Sequence, residues 1–161
     1  MAAGMKTRIS WREKLERQDH SKIVDVPDRM ALRLGSGKML IPRPLDVDAV
    51  IRRVRKGKLT RSVDIRERLA LDNSVDVTCP LTTGIFIRIA AEAAEEDRKA
   101  GRLPVTPYWR VVREDGTLHE KFPGGVNAQA RRLKEEGHTI EPGSGRQKPK
   151  VRNFEKRLMK L

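Results

Sequence analysis

One stretch limits what this chain can fold into more than any other: "CPLTTGIFIRIAAEAAEEDRKAG", residues 79–101. Thr78 or Cys79 is placed to cap a helix. Pro80 fits the first turn, where a missing N–H costs nothing. Ile85, Phe86, Ile89, Ala90 and Ala93 then recur at helical spacing as one broad apolar face. A face of that width is stable only when other elements pack on it, so a multi-helix core is expected. Thr82 and Thr83 are expected in the exposed first turn. Gly84, inside the helix, costs about 1 kcal/mol relative to Ala, and such a glycine often marks a close backbone approach. Glu92, Glu95, Glu96 and Asp97 crowd the C-terminal end, where the helix dipole disfavours negative charge. They are expected to pair with Arg98, Lys99 or the basic N-terminal segment.

The rest of the chain supplies partners. Within residues 1–20, Ser10 is placed as an N-cap with Glu13 as its capping-box partner, and Trp11 and Leu15 share a face. "KMLIPRP" reads as a short strand ended by prolines. "LDVDAVIRRVRKGK" reads as a helix capped by Asp46, with an inward stripe of Val47, Val50, Ile51 and Val54, closed by Gly57. In "LTRSVDIRERLALDN" a further helix points Val63, Ile65 and Leu69 inward and Arg61, Arg66 and Arg68 outward. "RVVREDGTLHEKF" suggests a β-hairpin turning at Asp115-Gly116. "GGVNAQARRLKEEGH" suggests a last helix, closed by Gly137. The tail from Thr139 reads as a strand, a Gly/Ser-rich turn, a second strand and a basic end. Two consecutive helices, the second opening on polar residues, have the outline of a helix-turn-helix. An ordinary helical hairpin has the same outline.

Charge narrows the function classes. The 161 residues carry a net charge of +13. Residues 1–70 hold 18 basic and 9 acidic side chains, residues 71–97 hold 1 and 6, residues 98–142 hold 9 and 6, and residues 143–161 hold 7 and 1. Basic ends flanking an acidic centre favour a polyanionic partner, nucleic acid first. No run approaches the roughly 18 apolar residues of a membrane span, and no secretory signal is read at the N-terminus. A soluble cytoplasmic monomer without membrane association is expected. A single Cys, Cys79, excludes an internal disulfide. His20, His119 and His138 have no metal-ligand spacing, so neither a metal nor another cofactor is expected.

Only 4% of the residues are aromatic, yet "PYWRV" sets Tyr108 beside Trp109. This motif belongs to an ordered set: "GKLTRSVDIR" from Gly57, "LTTG" from Leu81, "PYWRV" from Pro107, Asp115-Gly116, Gly124-Gly125 and "RLKEEG" ending at Gly137. The set resembles, over residues 46–138, the DNA-binding domain of the alkylguanine-DNA alkyltransferases. Their corresponding order is "GKVTTYGDIA", "RAVG", "PCHRV", a "DG" turn, a Gly-Gly loop and a helix ending "LLxxEG". Asp64, Ile65, Gly84, Pro107, Arg110, Val111 and Glu136 agree with the pattern. The resemblance implies a mainly α fold with a small β component, a winged-helix-like helix-turn-helix domain at 45–138. Residues 1–44, with a short helix and strand, and the basic residues 139–161, with a hairpin, would be extensions.

The departures fall on the chemistry. Tyr108 stands where the family keeps its nucleophilic Cys, and Trp109 where it keeps the His that activates the thiol through water. Ser62 replaces the Tyr that helps rotate the target nucleotide. Leu81 replaces the Arg that fills the gap left by the flipped base. Alkyl transfer needs a thiolate of lowered pKa, and a phenol is a poor substitute. Methyltransferase activity is therefore expected to be lost. The chain is similar to the alkyltransferase-like branch, which binds damaged DNA without repairing it, although that branch commonly keeps the His.

The resemblance places a pocket at Pro107, Tyr108, Trp109, Arg110, Gly124 and Gly125. It places nucleic-acid contacts at Arg61, Ser62, Leu81, Thr82, Thr83, Gly84 and Arg88, with Arg66 and the tail cations as further phosphate contacts. The partner implied is duplex DNA, with an alkylated or flipped base as one form. The two rings line a base pocket, where stacking contributes roughly 1–3 kcal/mol per base, or plug it; one ring is expected as a plug and the other as a pocket wall. Two other function classes remain open: an enzyme acting through Cys79 or Tyr108, and an RNA- or protein-binding adaptor on the same fold.

Overall fold

A computed structural model describes residues 8–161. The chain is mainly α-helical with small sheets. The helices are α1 (Trp11–Glu16), α2 (Asp28–Leu34), α3 (Pro44–Arg52), α4 (Ser62–Asp72), α5 (Pro80–Lys99) and α6 (Gly125–Glu135). The strands are β1 (Lys22–Asp25), β2 (Lys38–Ile41), β3 (Thr60–Arg61), β4 (Val77–Thr78), β5 (Val111–Val112), β6 (Ile140–Glu141) and β7 (Lys150–Val151). Short 3-10 turns cover Tyr108–Arg110 and Phe154–Arg157. Among the described residues, no helix is long and apolar enough to cross a membrane.

α5 is the spine, packing on α1, α3 and α4. Its inward side carries Ala90, Ala91, Ala93 and Ala94, all buried. Such small side chains let neighbouring helices approach closely. Leu15, Val47, Val50, Ile51, Ile65 and Leu69 fill the space around them. α1 is capped as its sequence suggests: the Ser10 hydroxyl accepts the Glu13 N–H at 3.1 Å. The helix-turn-helix is formed by α4 and α5, with β4 in the linker.

Two helices differ from the sequence reading, one in its start and one in its buried face. α3 begins at Pro44, so Arg43 is the N-cap and Asp46 lies inside the first turn. Proline pre-sets the helical φ and moves the start upstream. Asp46 still serves that end, accepting the Arg43 N–H at 2.9 Å. α5 is rotated relative to expectation. Its buried stripe runs Thr83, Ile87, Ala90, Ala91 and Ala94, whereas Ile85 is 51% exposed. Burial of Thr83 is tolerated because its hydroxyl donates to the Cys79 carbonyl at 2.8 Å.

The expected 110–122 hairpin does not form. β5 pairs in parallel with β3, Thr60 with Val111 and Arg61 with Val112. Val111 faces the first core and Val112 the second, both fully buried. Burial on both sides is what a parallel pair requires. The turn at Asp115-Gly116 is present, with the Arg113 N–H donating to the Thr117 carbonyl at 2.9 Å. The chain beyond it pairs with the tail instead: the Leu118 N–H donates to the Pro149 carbonyl at 3.0 Å. A second core therefore joins Leu59, Val112, Leu118, Leu133, Val151 and Phe154. Ile140, Val151, Phe154 and Leu158 bring the tail into it. The β1–β2–β4 sheet covers a third, smaller cluster of Val26, Met39 and Cys79. Strand β1 and helix α2 have no counterpart in the sequence reading.

Candidate nucleic-acid interface

The two ends of α5 meet different surroundings. At the C-terminal end, Glu95, Glu96 and Asp97 are held by cations, a hydroxyl or backbone N–H groups. Asp97 is 3% exposed, pairs with the Arg12 guanidinium and accepts from Arg102 Nε at 3.0 Å. Glu96 accepts the Trp11 and Arg12 backbone N–H groups at 3.1 and 3.2 Å, capping α1 from outside. Glu95 accepts from Arg98, Arg132 and Tyr108, each at 2.8 Å. Burial alone would raise the Glu95 and Asp97 pKa values, but these hydrogen bonds and cations outweigh it and hold both carboxyls below their ordinary values.

Tyr108 belongs to that closed end. It is 2% exposed, with Trp109 and Phe122 set edge-on at centroid distances of 5.4 Å each. Burial, reinforced by the hydrogen bond to Glu95 and that carboxylate's charge, pushes the phenol well above its usual value. A neutral, buried phenol of this kind is no nucleophile. Trp109 is half-buried. Its Nε1–H donates to Glu136 at 2.7 Å, and the Arg132 guanidinium lies 4.4 Å from its ring centroid. Arg110 grips Glu136 through Nε and Nη2, at 2.8 and 2.7 Å, and donates Nη1 to the Val54 carbonyl at 2.6 Å. Gln129, buried and not singled out by its sequence, ties this turn to the next loop. It donates to the Trp109 and Val111 carbonyls and accepts the His119 N–H.

The residues expected to form one pocket are therefore divided. Tyr108 and Gly124 border a charged recess of about 540 Å3 beside α6, with Arg131 and Arg132. Pro107, Trp109 and Arg110 border a separate recess on the side of Leu103 and Arg52. Gly124 and Gly125 take left-handed φ values of 76° and 69° where the chain turns into α6. Cys79, the other candidate nucleophile, is buried against Val26 and Met39, and its sulfur accepts from the Thr82 hydroxyl.

The N-terminal half of α5 is open. Leu81 is 72% exposed and Ile85 51%, one helical turn apart. Gly84 and Arg88 are exposed beside them, and Thr82 is half-buried. A groove of about 700 Å3 runs along this half, bounded by Ser62 at the start of α4, by Gly84, Ile87 and Arg88, and by Arg113, His119, Lys121 and Phe122 across from them. Among the described residues, Arg88, Arg113 and Lys121 have no carboxylate within 4.0 Å. Glu114 and Asp115 also border the groove, but Glu114 faces Arg66 at 3.5 Å and Asp115 accepts the Thr117 hydroxyl at 2.7 Å. Arg113 Nε and His119 Nε2 are buried atoms without a protein partner. The His119 ring stacks on Phe122 at 4.3 Å, and burial, with the Arg113 charge, lowers its pKa to about 4.

Of the expected nucleic-acid contacts, Ser62, Gly84 and Arg88 meet in this groove. Leu81 and Thr82 lie on the same end of α5 outside it. Thr83 points into the core. Arg61 is held by Asp64, with contacts of 2.9 Å to both carboxylate oxygens. Arg113, His119, Lys121 and Phe122 were not singled out from the sequence as site residues. The signal available was a set of basic residues on both sides of the Asp115-Gly116 turn. Among the described residues, no group of three His, Cys, Asp or Glu side chains gathers where it could hold a metal ion.

No protein-family model and no curated protein sequence matches the chain. Among solved structures, it is similar to S. pombe Atl1, determined in complex with damaged DNA containing O6-carboxymethylguanine. The identity is 18%, the TM-score 0.52, and the match covers 73% of this chain and 94% of that one. That likeness shows the fold.

Proposed function

We propose that this chain is a non-catalytic, alkyltransferase-like protein that binds duplex DNA through the N-terminal half of α5 and the facing 113–122 segment. The observation that carries the reading is the open groove along the second helix of a helix-turn-helix, bordered by three cations that pair with no carboxylate: Arg88 on that helix, and Arg113 and Lys121 on the facing segment. Cations without carboxylate partners break no ion pair when they turn toward phosphates, and neutralising phosphates releases counterions from the duplex. The fold shared with Atl1, a protein solved on damaged DNA, supports the same partner. Exposed Leu81 and Ile85 suit contact with base edges or a wedge between base steps, as apolar side chains do in minor-groove binders.

Tyr108 and Trp109 act in this reading as a structural plug. Their polar atoms are satisfied and Tyr108 is buried between Trp109 and Phe122, so an extruded base finds no stacking surface between the two rings. A modified or unpaired base would instead meet the His119–Phe122 stack on the groove wall. Alkyl transfer to protein is not part of the function, because neither Tyr108 nor Cys79 is an exposed, activated nucleophile.

The test is a titration of labelled duplexes, with and without alkylated guanine, and of a matched RNA, at several salt concentrations. Engagement of four to six phosphates gives a log–log slope of about −4 to −5. Salt-independent affinity, or preference for RNA, removes the reading. Incubation with a duplex carrying labelled methyl groups should leave the protein unlabelled. Stoichiometric label on Cys79 would reinstate the enzyme alternative.

A further inference from the structure

The C-terminal hairpin ends in a loop that has no task inside the fold, although its base is fixed on both sides. β6 and β7 pair Ile140 with Val151 and Glu141 with Lys150. Val151 is fully buried, and its N–H donates to the Gly116 carbonyl at 3.0 Å. Thr117 bridges Lys150 across the same seam. Gly116, at φ 83°, allows this closeness: a Cβ there would lie 2.3 Å from the Phe154 ring. The loop itself is tightly turned. A Cβ on Gly143 would lie 2.1 Å from the Gln147 carbonyl oxygen, and the Gln147 N–H donates to Ser144 at 2.9 Å. A firm base thus holds residues 142–147 out in solvent.

The chemistry of that projection is cationic. A recess of about 610 Å3 against the hairpin is bordered by Arg113, Arg146, Lys148 and Lys150. Its two carboxylates are engaged: Asp115 accepts from Thr117, and Glu141 faces Arg152 at 3.5 Å. Lys148 meets Glu120 at 2.9 Å, but both side chains are more than a third exposed. A pair of that kind holds its cation weakly. Arg113 and Asp115 border this recess and the α5 groove alike. The two surfaces are therefore continuous across the 113–116 turn. The loop offers guanidinium, ammonium, hydroxyl and glycine backbone N–H groups, with Pro142 and Pro149 as its only apolar side chains. That is a donor set for phosphate oxygens, and it lacks the aromatic or aliphatic anchor of a protein interface.

We infer that the 142–149 loop is a second arm, gripping the sugar–phosphate backbone of the same duplex beyond the stretch held by α5. The inference rests on the DNA-binding reading above. It is tested by comparing the full chain with the double variant Arg146→Gln, Lys148→Gln on a duplex long enough to extend past the α5 contact. The variant should melt with the parent, flatten the log–log salt slope by about one to two units, and lose hydroxyl-radical protection at one edge of the footprint. Gln147→Glu, which adds a charge at an exposed position and removes no contact, should weaken binding in the same direction. A parent that binds with the expected slope while both variants keep its slope and footprint overturns the second arm and leaves the α5 reading standing. Loss confined to single-stranded RNA binding also overturns it. A parent that binds no duplex at all defeats the α5 reading, and the arm falls with it.

Discussion

The two halves of α5 share one backbone and differ in nearly everything else. The C-terminal half carries Glu95, Glu96 and Asp97, and each is held by a cation or by the backbone of another element. The N-terminal half carries Leu81, Gly84, Ile85 and Arg88, which no other element covers. Carboxylates at the negative end of a helix dipole are unfavourable unless cations answer them. Here Arg12, Arg98, Arg102 and Arg132 do so, and in doing so dock α1 and α6. The closed half therefore reads as architecture and the open half as the surface left for a partner. The same contrast reassigns Tyr108 and Trp109, which lie on the closed side although sequence resemblance sets them at a reactive position.

The largest effect should come from cutting into the closed half. Tyr108→Ala removes a buried ring between Trp109 and Phe122 and should cost roughly 3–5 kcal/mol of stability. Duplex affinity should be unchanged below the melting transition. A thermal melt run beside a binding titration checks both. A variant that melts normally but loses binding would place the ring in the interface and break the division.

Acid should come next. His119 has a folded pKa lowered to about 4 from an ordinary 6.5. A base with a depressed pKa contributes stability above its unfolded value and loses it as pH falls through that window. The loss between pH 6.5 and 4 is up to about 3 kcal/mol at 1.36 kcal/mol per unit. His138, lowered by burial and by Arg157, adds in the same direction. Asp97, Glu95 and Glu136 are also held below their ordinary values of 3.8 for Asp and 4.5 for Glu, so their contributions hold above those values and are lost as pH falls below them. Denaturant melts across pH should show two stages, with His119→Gln flattening the upper one.

Smaller effects are expected at the open half. Arg88→Ala should leave stability within about 0.5 kcal/mol, as for other exposed sites. It should flatten the salt slope of duplex binding by about one unit if the guanidinium meets a phosphate. Leu81→Ala should likewise leave the melt unchanged, and its effect should appear only in binding.

Much of this contrast was legible in the sequence. Ser10 capping α1, Pro80 opening α5, and the demand of Asp97 for a basic partner near the N-terminus, met by Arg12, follow from simple rules; Glu96 instead takes the backbone N–H groups of Trp11 and Arg12. The rotation of α5 was not legible, because Thr83 hides its hydroxyl in a bond to Cys79 and frees Ile85 to face outward. Nor was the fate of the Asp115-Gly116 turn. Its chemistry is local, but the strand that follows pairs with residues more than thirty positions away. The groove wall at Arg113, His119 and Phe122 depends on that pairing, so no spacing in the sequence announces it. The plug was one of the readings open to Tyr108; it is favoured because Glu95, thirteen residues earlier, accepts the phenol hydrogen, a contact no local spacing announces.

Amide hydrogen exchange with and without a duplex measures the division directly. Bound DNA should slow exchange in residues 81–88 and 113–122, on the two walls of the groove. Residues 92–99, 107–110 and 131–136, already locked by Glu95, Glu96, Asp97 and Glu136, should exchange at the same rate in both states. Protection that appears around Tyr108 and Trp109 while 81–88 stays unchanged would contradict the account.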